Sequence, residues 1–362
     1  MKKTVLEIDL KALEHNFNII SSKLNSKTKF MAIVKANGYG SNGTEVAKRL
    51  AAMGVDYFAV AFAVEGIALR KSGIKTPILV LLPQVESIKE IVKYNLEPSL
   101  YSFYFLENFI DHLSSNEIRN YPCHLKINTG LNRVGFNEKE AKRAVNKIKN
   151  SDSIQLAGVY SHLAATDDLH ESKFTLSQIN LFKKISSDVK SKLPCNPILH
   201  MSNTSGIYNY PECEFDMVRS GVGLYGYNNE LNKELRPVHT LKSVIAQIIN
   251  AKIGDSIGYN RAFICEEKTK VGVIPLGHAD GISRLFSSNA YIIVNGKKAK
   301  VLGNICMDVF MVNLNGIDVH EGHEVVIFDR NNNAEDYAKS VGTISYEILT
   351  NLSERIERKI IG

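Results

Sequence analysis

The sequence has few cysteines and no closely spaced cysteine pair. Its 362 residues contain five, at Cys123, Cys195, Cys213, Cys265 and Cys306, and none belongs to a C-x-x-C motif. An odd number of scattered thiols argues against a disulfide framework and against a zinc site built from cysteine pairs. We therefore expect reduced thiols, a cytoplasmic protein and no metal site.

Long runs of one residue type are also missing. The net charge of +6 is spread along the chain with no run of five basic residues, which argues against a nucleic-acid partner. No apolar run approaches the roughly 18 residues of a membrane helix, so we expect no membrane partner. The start, "MKKTVLEIDLKALEHNF", alternates apolar with acidic residues, unlike a signal peptide. A hydrophobic fraction of 44% over this length is ordinary for a globular protein of two domains.

Short β-rich runs alternate with helical patterns from about residue 10 to residue 226. The helical patterns have apolar residues at i, i+3, i+4 and i+7, as in "EKEAKRAVNKIK". Several β-rich runs are apolar throughout, as expected for parallel strands covered on both faces. This rhythm predicts an α/β fold with a TIM-like (β/α)8 barrel over 10–230, and an open doubly wound sheet is the alternative. The eight runs are 29–35, 57–61, 77–82, 96–100, 123–128, 155–160, 197–201 and 215–219.

The pattern changes after about residue 230. Further β-rich runs are joined by turn residues, and Asn295-Gly296 is a hairpin signal. Only the stretches 333–342 and 344–359 have a helical pattern. The sequence therefore predicts a mostly β C-terminal domain over 231–362, with the strand-like residues 1–9 packing against it.

Polar and charged residues lie where the predicted barrel strands end. Lys35 follows the first strand, Lys126 ends the fifth, His162 follows the sixth and Arg219 ends the eighth, while "SNTSG" (202–206) follows the seventh. Such barrels place their chemistry at these strand ends, and often bind phosphate after strands seven and eight. A lysine here is either surface-directed or carboxylate-paired, or it is a desolvated amine able to form a Schiff base. A single histidine here is more often structural than a base.

The stretch "RSGVGLYG" contains Gly221, Gly223 and Gly226 at the spacing G-x-G-x-x-G. A dinucleotide site would need an amphipathic helix at Gly226 and a carboxylate about 20 residues further on, and neither is present. The glycines still allow backbone N–H groups to approach a phosphate closely. A phosphate site, an imine-forming amine and an arginine in one ring of residues together suggest pyridoxal phosphate (PLP).

At these residues the chain resembles the alanine racemase family. The resemblance covers nearly the whole length, in family order, through blocks that include "AIVKANGYG", "HLKINTGLNRVGF", "GVYSHLAATDD", "FDMVRSGVGLYG", "IGYNRAF", "VIPLGHADG", "GNICMDVF" and "GTISYEIL". It implies PLP-dependent interconversion of L- and D-alanine, supplying D-alanine for peptidoglycan, in a homodimer whose active sites are shared between subunits.

The resemblance also implies a role for each matching residue. Lys35 would hold the cofactor and act as one catalytic base, and Tyr259 of the partner subunit would be the second base on the opposite face. Arg219 would hydrogen-bond the pyridine nitrogen, His162 would lie against the ring, and Arg133 would lie on the side of the phenolic oxygen and the substrate. The implied phosphate site consists of Tyr39, Asn203, Thr204, Gly221, Val222 and Tyr346. The implied substrate carboxylate site and entrance consist of Met307, Asp308 and His278.

Three departures from the family pattern matter. Asn128 and Asn132 replace a usual aspartate and glycine in "KINTGLNR". In family members the lysine at the position of Lys126 can be carbamylated, and its carbamate then bridges to the arginine matched by Arg133. For this chain, an unmodified Lys126 in a salt bridge is the alternative. His278 stands where a tyrosine is usual at the substrate entrance. We therefore keep open the racemisation of another small amino acid such as serine.

Two further alternatives remain. An amino-acid decarboxylase shares the fold, but the blocks around Tyr259 and Cys306-Met307-Asp308 do not suit it. A non-catalytic PLP carrier protein would be a single barrel, and the predicted domain 231–362 argues against it.

Overall fold

The structure, a computed structural model, describes residues 4–227, 234–287 and 290–362. Eight parallel strands close into a barrel, since each pairs with the next and the last pairs with the first. This confirms the predicted (β/α)8 barrel, and each β-rich run overlaps one strand. The barrel strands are β2 (Lys29–Ile33), β3 (Tyr57–Val60), β4 (Ile78–Val80), β5 (Glu97–Leu100), β6 (Tyr121–Lys126), β7 (Ile154–Tyr160), β8 (Ile198–His200) and β9 (Met217–Ser220). They follow strand β1 (Val5–Asp9) and helix α1 (Leu10–Ser21).

Helices connect the strands and cover the barrel with their apolar faces. In the helix Glu138–Lys149, Ala141, Ala144, Val145 and Ile148 are buried on one side, which is the spacing of one helix face. Acidic residues lie in its first turn and lysines in its last, matching the helix dipole. The connecting helices are α2 (Lys35–Tyr39), α3 (Gly43–Ala52), α4 (Ala63–Lys71), α5 (Ile88–Lys93), α6 (Phe103–Ser115), α7 (Glu138–Lys149), α8 (Ser172–Lys192) and α9 (Thr204–Asn209).

The C-terminal part is mostly β, as predicted. Its nine-stranded sheet has the order β11-β14-β17-β16-β15-β18-β10-β1-β19, and β12 pairs with β13. Residues Asn295 and Gly296 have φ of 48° and 72° and join β15 to β16, as in a type I′ hairpin turn. The strands are β10 (His239–Val244), β11 (Gln247–Ala251), β12 (Ser256–Ile257), β13 (Phe263–Ile264), β14 (Thr269–Ile274), β15 (Tyr291–Val294), β16 (Lys297–Leu302), β17 (Phe310–Asn313), β18 (Glu324–Phe328) and β19 (Glu357–Ile361).

The N-terminal strand belongs to this C-terminal sheet. β1 pairs antiparallel with β10 and parallel with β19. The chain therefore enters the barrel from a strand that is already part of the second domain. The predicted domain boundary at 230–231 lies outside the described residues.

The predicted helix over 344–359 is wrong in its second half. Two helices follow β18, α10 (Ala334–Ser340) and α11 (Ser345–Thr350), and residues 357–361 form β19. The edge of the sheet offered by β1, about 350 residues away in sequence, recruits this segment into a strand. Long-range pairing of this kind overrides local helical patterning. In the described ranges, no helix is both long and apolar enough to span a membrane.

Candidate active site

A cavity of about 500 Å³ opens at the carboxyl ends of the barrel strands. This is the end at which (β/α)8 barrels carry their active sites. The cavity brings together eleven of the residues singled out from the sequence. They are Lys35, Tyr39, Lys126, Arg133, His162, Asn203, Thr204, Arg219, Gly221, Val222 and Tyr346.

Lys35 begins a left-handed turn directly after β2. Ala36, Asn37, Gly38 and Tyr39 have φ of 52°, 52°, 65° and 55°. Only glycine adopts this region without cost, and each L-residue there costs roughly 1–2 kcal/mol. The turn places the lysine and the tyrosine on the same cavity.

The carboxylate of Glu65 holds this turn in place. It accepts hydrogen bonds from the backbone N–H groups of Ala36 (2.5 Å), Ala61 (2.7 Å) and Phe62 (3.0 Å). The side chain of Asn37 also accepts a hydrogen bond from the Gly43 N–H at 2.8 Å. The bonds at Ala36 and Asn37 offset part of the backbone strain, while those from Ala61 and Phe62 fix the Glu65 carboxylate. Strained backbone that persists in this way often lies at functional sites.

The Lys35 amine has a lowered pKa. Burial is the main cause and the charge of Arg133 adds to it, while the carboxylate of Glu65 opposes them. A lowered pKa increases the fraction of neutral amine at neutral pH, and the neutral amine is the form that acts as nucleophile or base.

One end of the cavity is lined by hydroxyl and backbone groups. The buried Tyr39 ring lies 4.7 Å from the Tyr225 ring and 5.8 Å from the Tyr346 ring, measured between centres. Its hydroxyl lies so close to Gly221 that a Cβ there would be only 2.2 Å away. Asn203 begins α9 by accepting a hydrogen bond from the Gly206 N–H at 2.9 Å. Hydroxyls, a helix start and a bare glycine backbone form a set of donors suited to a phosphate.

Arg219 occupies the centre of the barrel end and is buried. Its Nη1 donates to His200 Nδ1 (2.9 Å), and its Nη2 lies 2.7 Å from Ser161 O, 3.0 Å from Met201 O and 3.1 Å from His162 Nδ1. Burial lowers the Arg219 pKa to about 10, so it stays charged at neutral pH. Burial and the Arg219 charge also hold the pKa of His162 well below its usual range, so this histidine is neutral.

Lys126 is a buried lysine at the end of β6. Its Nζ lies 4.6 Å from the centre of the Tyr160 ring, and burial, Arg219 and Arg133 hold its pKa well below the usual range. In the described ranges no carboxylate oxygen lies within 4.0 Å of Lys126. Among the described residues, Lys126 therefore has no carboxylate as an ion-pair partner.

The asparagines that depart from the family pattern close the loop between Lys126 and Arg133. Asn128 accepts hydrogen bonds from the N–H groups of Gly130 and Asn132, and its Nδ2 donates to Asn132 Oδ1 at 3.0 Å. Asn132 has φ of 55°, a conformation that asparagine tolerates better than most residues. The loop thus keeps the turn that a glycine would make.

Charge distinguishes the cavity from an ordinary cleft. Lys35, Lys126, Arg133 and Arg219 line it, and the described lining residues include no carboxylate. An anion with several negative groups would therefore be bound favourably. A cofactor with a phosphate, a phenolate and an aldehyde fits this set of donors, since Lys35 is the amine that an aldehyde requires.

Four predicted site residues lie elsewhere, in the C-terminal domain. Tyr259 is 71% exposed and Met307 is 58% exposed, and His278 and Asp308 are also on the surface. The His278 segment lies beside Met307, since the His278 N–H donates to Cys306 O and the Ala279 N–H donates to Met307 O, both at 3.0 Å. Asp308 pairs with Arg355 at 2.8 Å, and Tyr259 O accepts a hydrogen bond from Asn304 at 3.2 Å. None of the four lines the cavity of Lys35.

The fold and the cavity define a (β/α)8-barrel protein with a mostly β C-terminal part and a lysine of lowered pKa in a cavity lined by basic side chains. A family model described as the alanine racemase N-terminal domain matches residues 8–229, and one described as the C-terminal domain matches residues 238–360. The chain belongs to the alanine racemase family, whose members depend on PLP.

Relatives and solved structures match over the full length. The alanine racemase of Thermodesulfovibrio yellowstonii is 37% identical over 363 residues, which cover 98% of this chain and 97% of the relative. The solved alanine racemase of Clostridium difficile 630 has a TM-score of 0.93 at 32% identity and covers 100% of this chain and 98% of that one. The alanine racemase of Bacillus anthracis with bound L-Ala-P has a TM-score of 0.93 at 28% identity and covers 100% and 96%.

Sequence reasoning missed several residues of the site. Glu65 supports the Lys35 turn, and Tyr160 lines the cavity beside Lys126. His200 contacts Arg219. It is the last residue of β8, and a polar residue at a barrel strand end is a signal that the sequence already contains. The contacts of Glu65, in contrast, depend on the folded backbone.

Proposed function

We propose that this protein interconverts L- and D-alanine with PLP bound in the cavity at the barrel end. The observation that supports this most strongly is the cavity itself. It is lined by two lysines of lowered pKa and two arginines, with no carboxylate among its described lining residues. Racemisation of another small amino acid such as serine is the alternative, because His278 replaces a tyrosine of the family. We also propose that the enzyme is cytoplasmic and supplies D-alanine for peptidoglycan.

The chain offers a binding group for each part of the cofactor. Lys35 would hold it covalently, Arg219 would face the pyridine nitrogen, His162 would lie against the ring, and Arg133 would lie on the side of the phenolic oxygen. When bound, PLP supplies an aldehyde that captures amines and a ring system that absorbs the charge left when a Cα proton departs. The phosphate would be held by Tyr39, Asn203, Thr204, Gly221, Val222 and Tyr346.

Inversion at Cα requires a proton to leave one face and another to arrive at the opposite face. The Lys35 amine would move the proton on one face, since a lowered pKa increases the fraction of neutral amine that can accept it. We propose Tyr259 of a second copy of the chain for the other face. The placement of Tyr259 supports this, because the side chain is exposed and does not line the cavity of its own chain. Asn260 and Arg261, which follow it, have φ of 59° and 52°, so the turn that presents Tyr259 is a strained one.

The two domains would then contribute different parts of one site. Residues 10–230 would bind the cofactor, together with Tyr346 from the C-terminal domain. Residues 231–362, together with the strand in 1–9, would present the second base and the substrate residues to the partner subunit. In that arrangement Met307 and Asp308 would shape the substrate carboxylate site with Arg133, and His278 would lie at its entrance. The Bacillus anthracis alanine racemase, which has this fold, was solved with bound L-Ala-P.

We also propose that Lys126 is carbamylated. Its buried amine has a strongly lowered pKa and no carboxylate partner in the described ranges. The neutral amine would attack the carbon of CO₂, form an N–C bond and release a proton, leaving an anionic carbamate. That anion would balance the charges of Arg133 and Arg219. A ¹³C carbamate signal after equilibration with labelled bicarbonate, absent in Lys126→Ala, would support this; no such signal would contradict it.

Deuterium exchange at Cα of L-alanine in D₂O, followed together with circular dichroism, tests the proposed function. Racemisation predicts that deuterium incorporation accompanies loss of optical activity. Release of CO₂ without racemisation would instead identify a decarboxylase. Parallel incubation with L-serine decides between the two candidate substrates.

A further inference from the structure

Arg219 and three buried side chains behind it form a continuous row of hydrogen bonds through the barrel. Arg219 Nη1 lies 2.9 Å from His200 Nδ1, His200 Nε2 lies 3.0 Å from His124 Nδ1, and His124 Nε2 lies 2.9 Å from Glu97 Oε2. Both histidines are fully buried, and Glu97 is 8% exposed. We call these four residues the Arg219 relay.

The chemistry of arginine determines the direction of every hydrogen bond in the relay. A guanidinium only donates, so His200 Nδ1 must be an acceptor. Burial and the Arg219 charge hold the pKa of His200 well below its usual range, so this histidine is neutral and carries its proton on Nε2. That proton is donated to His124 Nδ1. His124 Nδ1 is therefore an acceptor, so the ring proton of His124 is on Nε2 and is donated to the Glu97 carboxylate.

The barrel is locally shaped to hold the relay. The pairing of β6 with β7 shifts register between Cys123 and His124, and His124 then lies opposite Gly158. A Cβ on Gly158 would lie 2.2 Å from His124 Nδ1. A strand irregularity re-aims a side chain, and a glycine inside a strand permits a close approach. Here both occur at the histidine in the middle of the relay.

The relay also connects Arg219 to a negative charge. In the described ranges no carboxylate oxygen lies within 4.0 Å of Arg219. A buried cation is costly unless it is paired or well hydrogen-bonded. Two neutral imidazoles join the guanidinium to Glu97, which is itself buried beneath the cavity.

We propose that Glu97 and His124 are positioning residues for the reaction. They keep His200 as a hydrogen-bond acceptor and thereby hold the Arg219 guanidinium in its place at the cavity. This proposal rests on the proposed use of PLP in that cavity. Neither residue touches the cavity, so each acts through its neighbour in the relay.

Nitrogen NMR of histidine-labelled, cofactor-free protein tests the relay without any catalytic assay. We expect neutral Nε2–H tautomers for His124 and His200, with the signals assigned from the spectra of His124→Phe and His200→Phe. A proton on Nδ1 of either ring, or a charged imidazolium at neutral pH, would overturn the proposal.

Kinetics of three variants test the positioning role. Glu97→Leu removes the acceptor at the end of the relay, whereas Glu97→Gln keeps an acceptor oxygen. Ser99→Ala is the control, since it removes a different buried hydrogen bond of the same strand, the one between Ser99 and the Tyr160 hydroxyl. We expect kcat to fall about tenfold in Glu97→Leu, which is a usual loss when a residue that supports a functional side chain is removed. The kcat of Glu97→Gln should lie between those of Glu97→Leu and the wild type. In Ser99→Ala kcat should change less than about threefold, and KM should be similar in all three variants.

Two outcomes would overturn the proposal. One is an equal loss of kcat in folded Glu97→Leu and Ser99→Ala; the other is an unchanged His200 tautomer together with full activity in Glu97→Leu. If Glu97→Leu does not fold, the wild-type histidine tautomers and the kcat of Glu97→Gln test the proposal instead. A Glu97→Gln variant as inactive as Lys35→Ala would contradict it, because glutamine still offers an oxygen that accepts a hydrogen bond from His124. Failure of the proposed function would look different, because the wild-type protein would then neither bind PLP nor racemise alanine, whatever its tautomers.

Discussion

Gly221 is a position where one added methyl group would meet the wall of the cavity directly. A Cβ there would lie 2.2 Å from Tyr39 Oη and 3.0 Å from Tyr39 Cζ, whereas carbon contacts are favourable at about 3.5–4.0 Å. The Tyr39 ring is 5% exposed and packs between Tyr225 and Tyr346. In Gly221→Ala the hydroxyl must therefore move by about 1 Å or more, away from the proposed phosphate site.

The expected loss of PLP affinity follows from the proposed hydrogen bond between the Tyr39 hydroxyl and the phosphate, which this movement would break. A hydrogen bond to a charged group contributes about 1.5–3 kcal/mol, which corresponds to a Kd for PLP about 10- to 150-fold higher. Crowding in a packed site adds about 1–3 kcal/mol of destabilisation, so Tm should fall as well. Titration of the cofactor-free protein with PLP, followed by absorbance, measures the first effect, and thermal denaturation measures the second.

Tyr39→Phe provides the matched control. It removes the same hydroxyl, so it should weaken PLP binding by itself and also remove the 2.2 Å contact in the double variant. We therefore expect Gly221→Ala to cost much less in the Tyr39→Phe background than in the wild type. The reasoning is refuted if Gly221→Ala leaves Kd within about twofold of wild type, or if the two losses simply add.

Three further predictions concern charge and specificity. Arg133→Met removes a positive charge that lowers the Lys35 pKa, so it should raise the pH midpoint for capture of PLP by Lys35. Glu65→Gln removes a negative charge that raises the Lys35 pKa, so it should lower that midpoint. Equal midpoints in the two variants would contradict these electrostatic effects. Burial lowers the pKa of His239 to about 3, below the unfolded value of about 6.5, so its contribution to stability is present above about pH 6.5 and lost as pH falls. The fall in Tm from about pH 7.5 to about pH 5 should therefore be smaller in His239→Gln, and an identical fall would argue against it. His278→Tyr should change the ratio of alanine to serine racemisation and the pH profile of the reaction, and an unchanged ratio and profile would exclude His278 from the entrance.

The barrel was predictable because its strands are covered on both faces. A run such as Ile78–Val80 is buried throughout, and eight such runs separated by amphipathic helices leave few alternatives to a barrel. Residues at the strand ends then share one edge, so Lys35, His162 and Arg219 could be placed together without a structure. The resemblance added residues such as Tyr346 whose own sequence signal is weak.

The remaining features depend on contacts that are distant in sequence. Residues 357–361 form a strand only because β1 offers them an edge. The row from Arg219 to Glu97 joins four barrel strands, so no local pattern reveals it. The left-handed turn after Lys35 shows in the sequence only as Gly38 and Gly40, although Asn37 also adopts positive φ.

The central claim is that one active site combines the cavity of one subunit with Tyr259 of another. Its most direct test is a mixed dimer of Lys35→Ala and Tyr259→Phe chains, co-expressed with different tags and purified through both. Each variant alone lacks one base at every site. If Tyr259 serves the partner's cavity, the mixed dimer has one site with both bases and racemises alanine at about half the wild-type rate. If the mixed dimer is as inactive as its parents, or if the purified protein is a monomer, the account is contradicted.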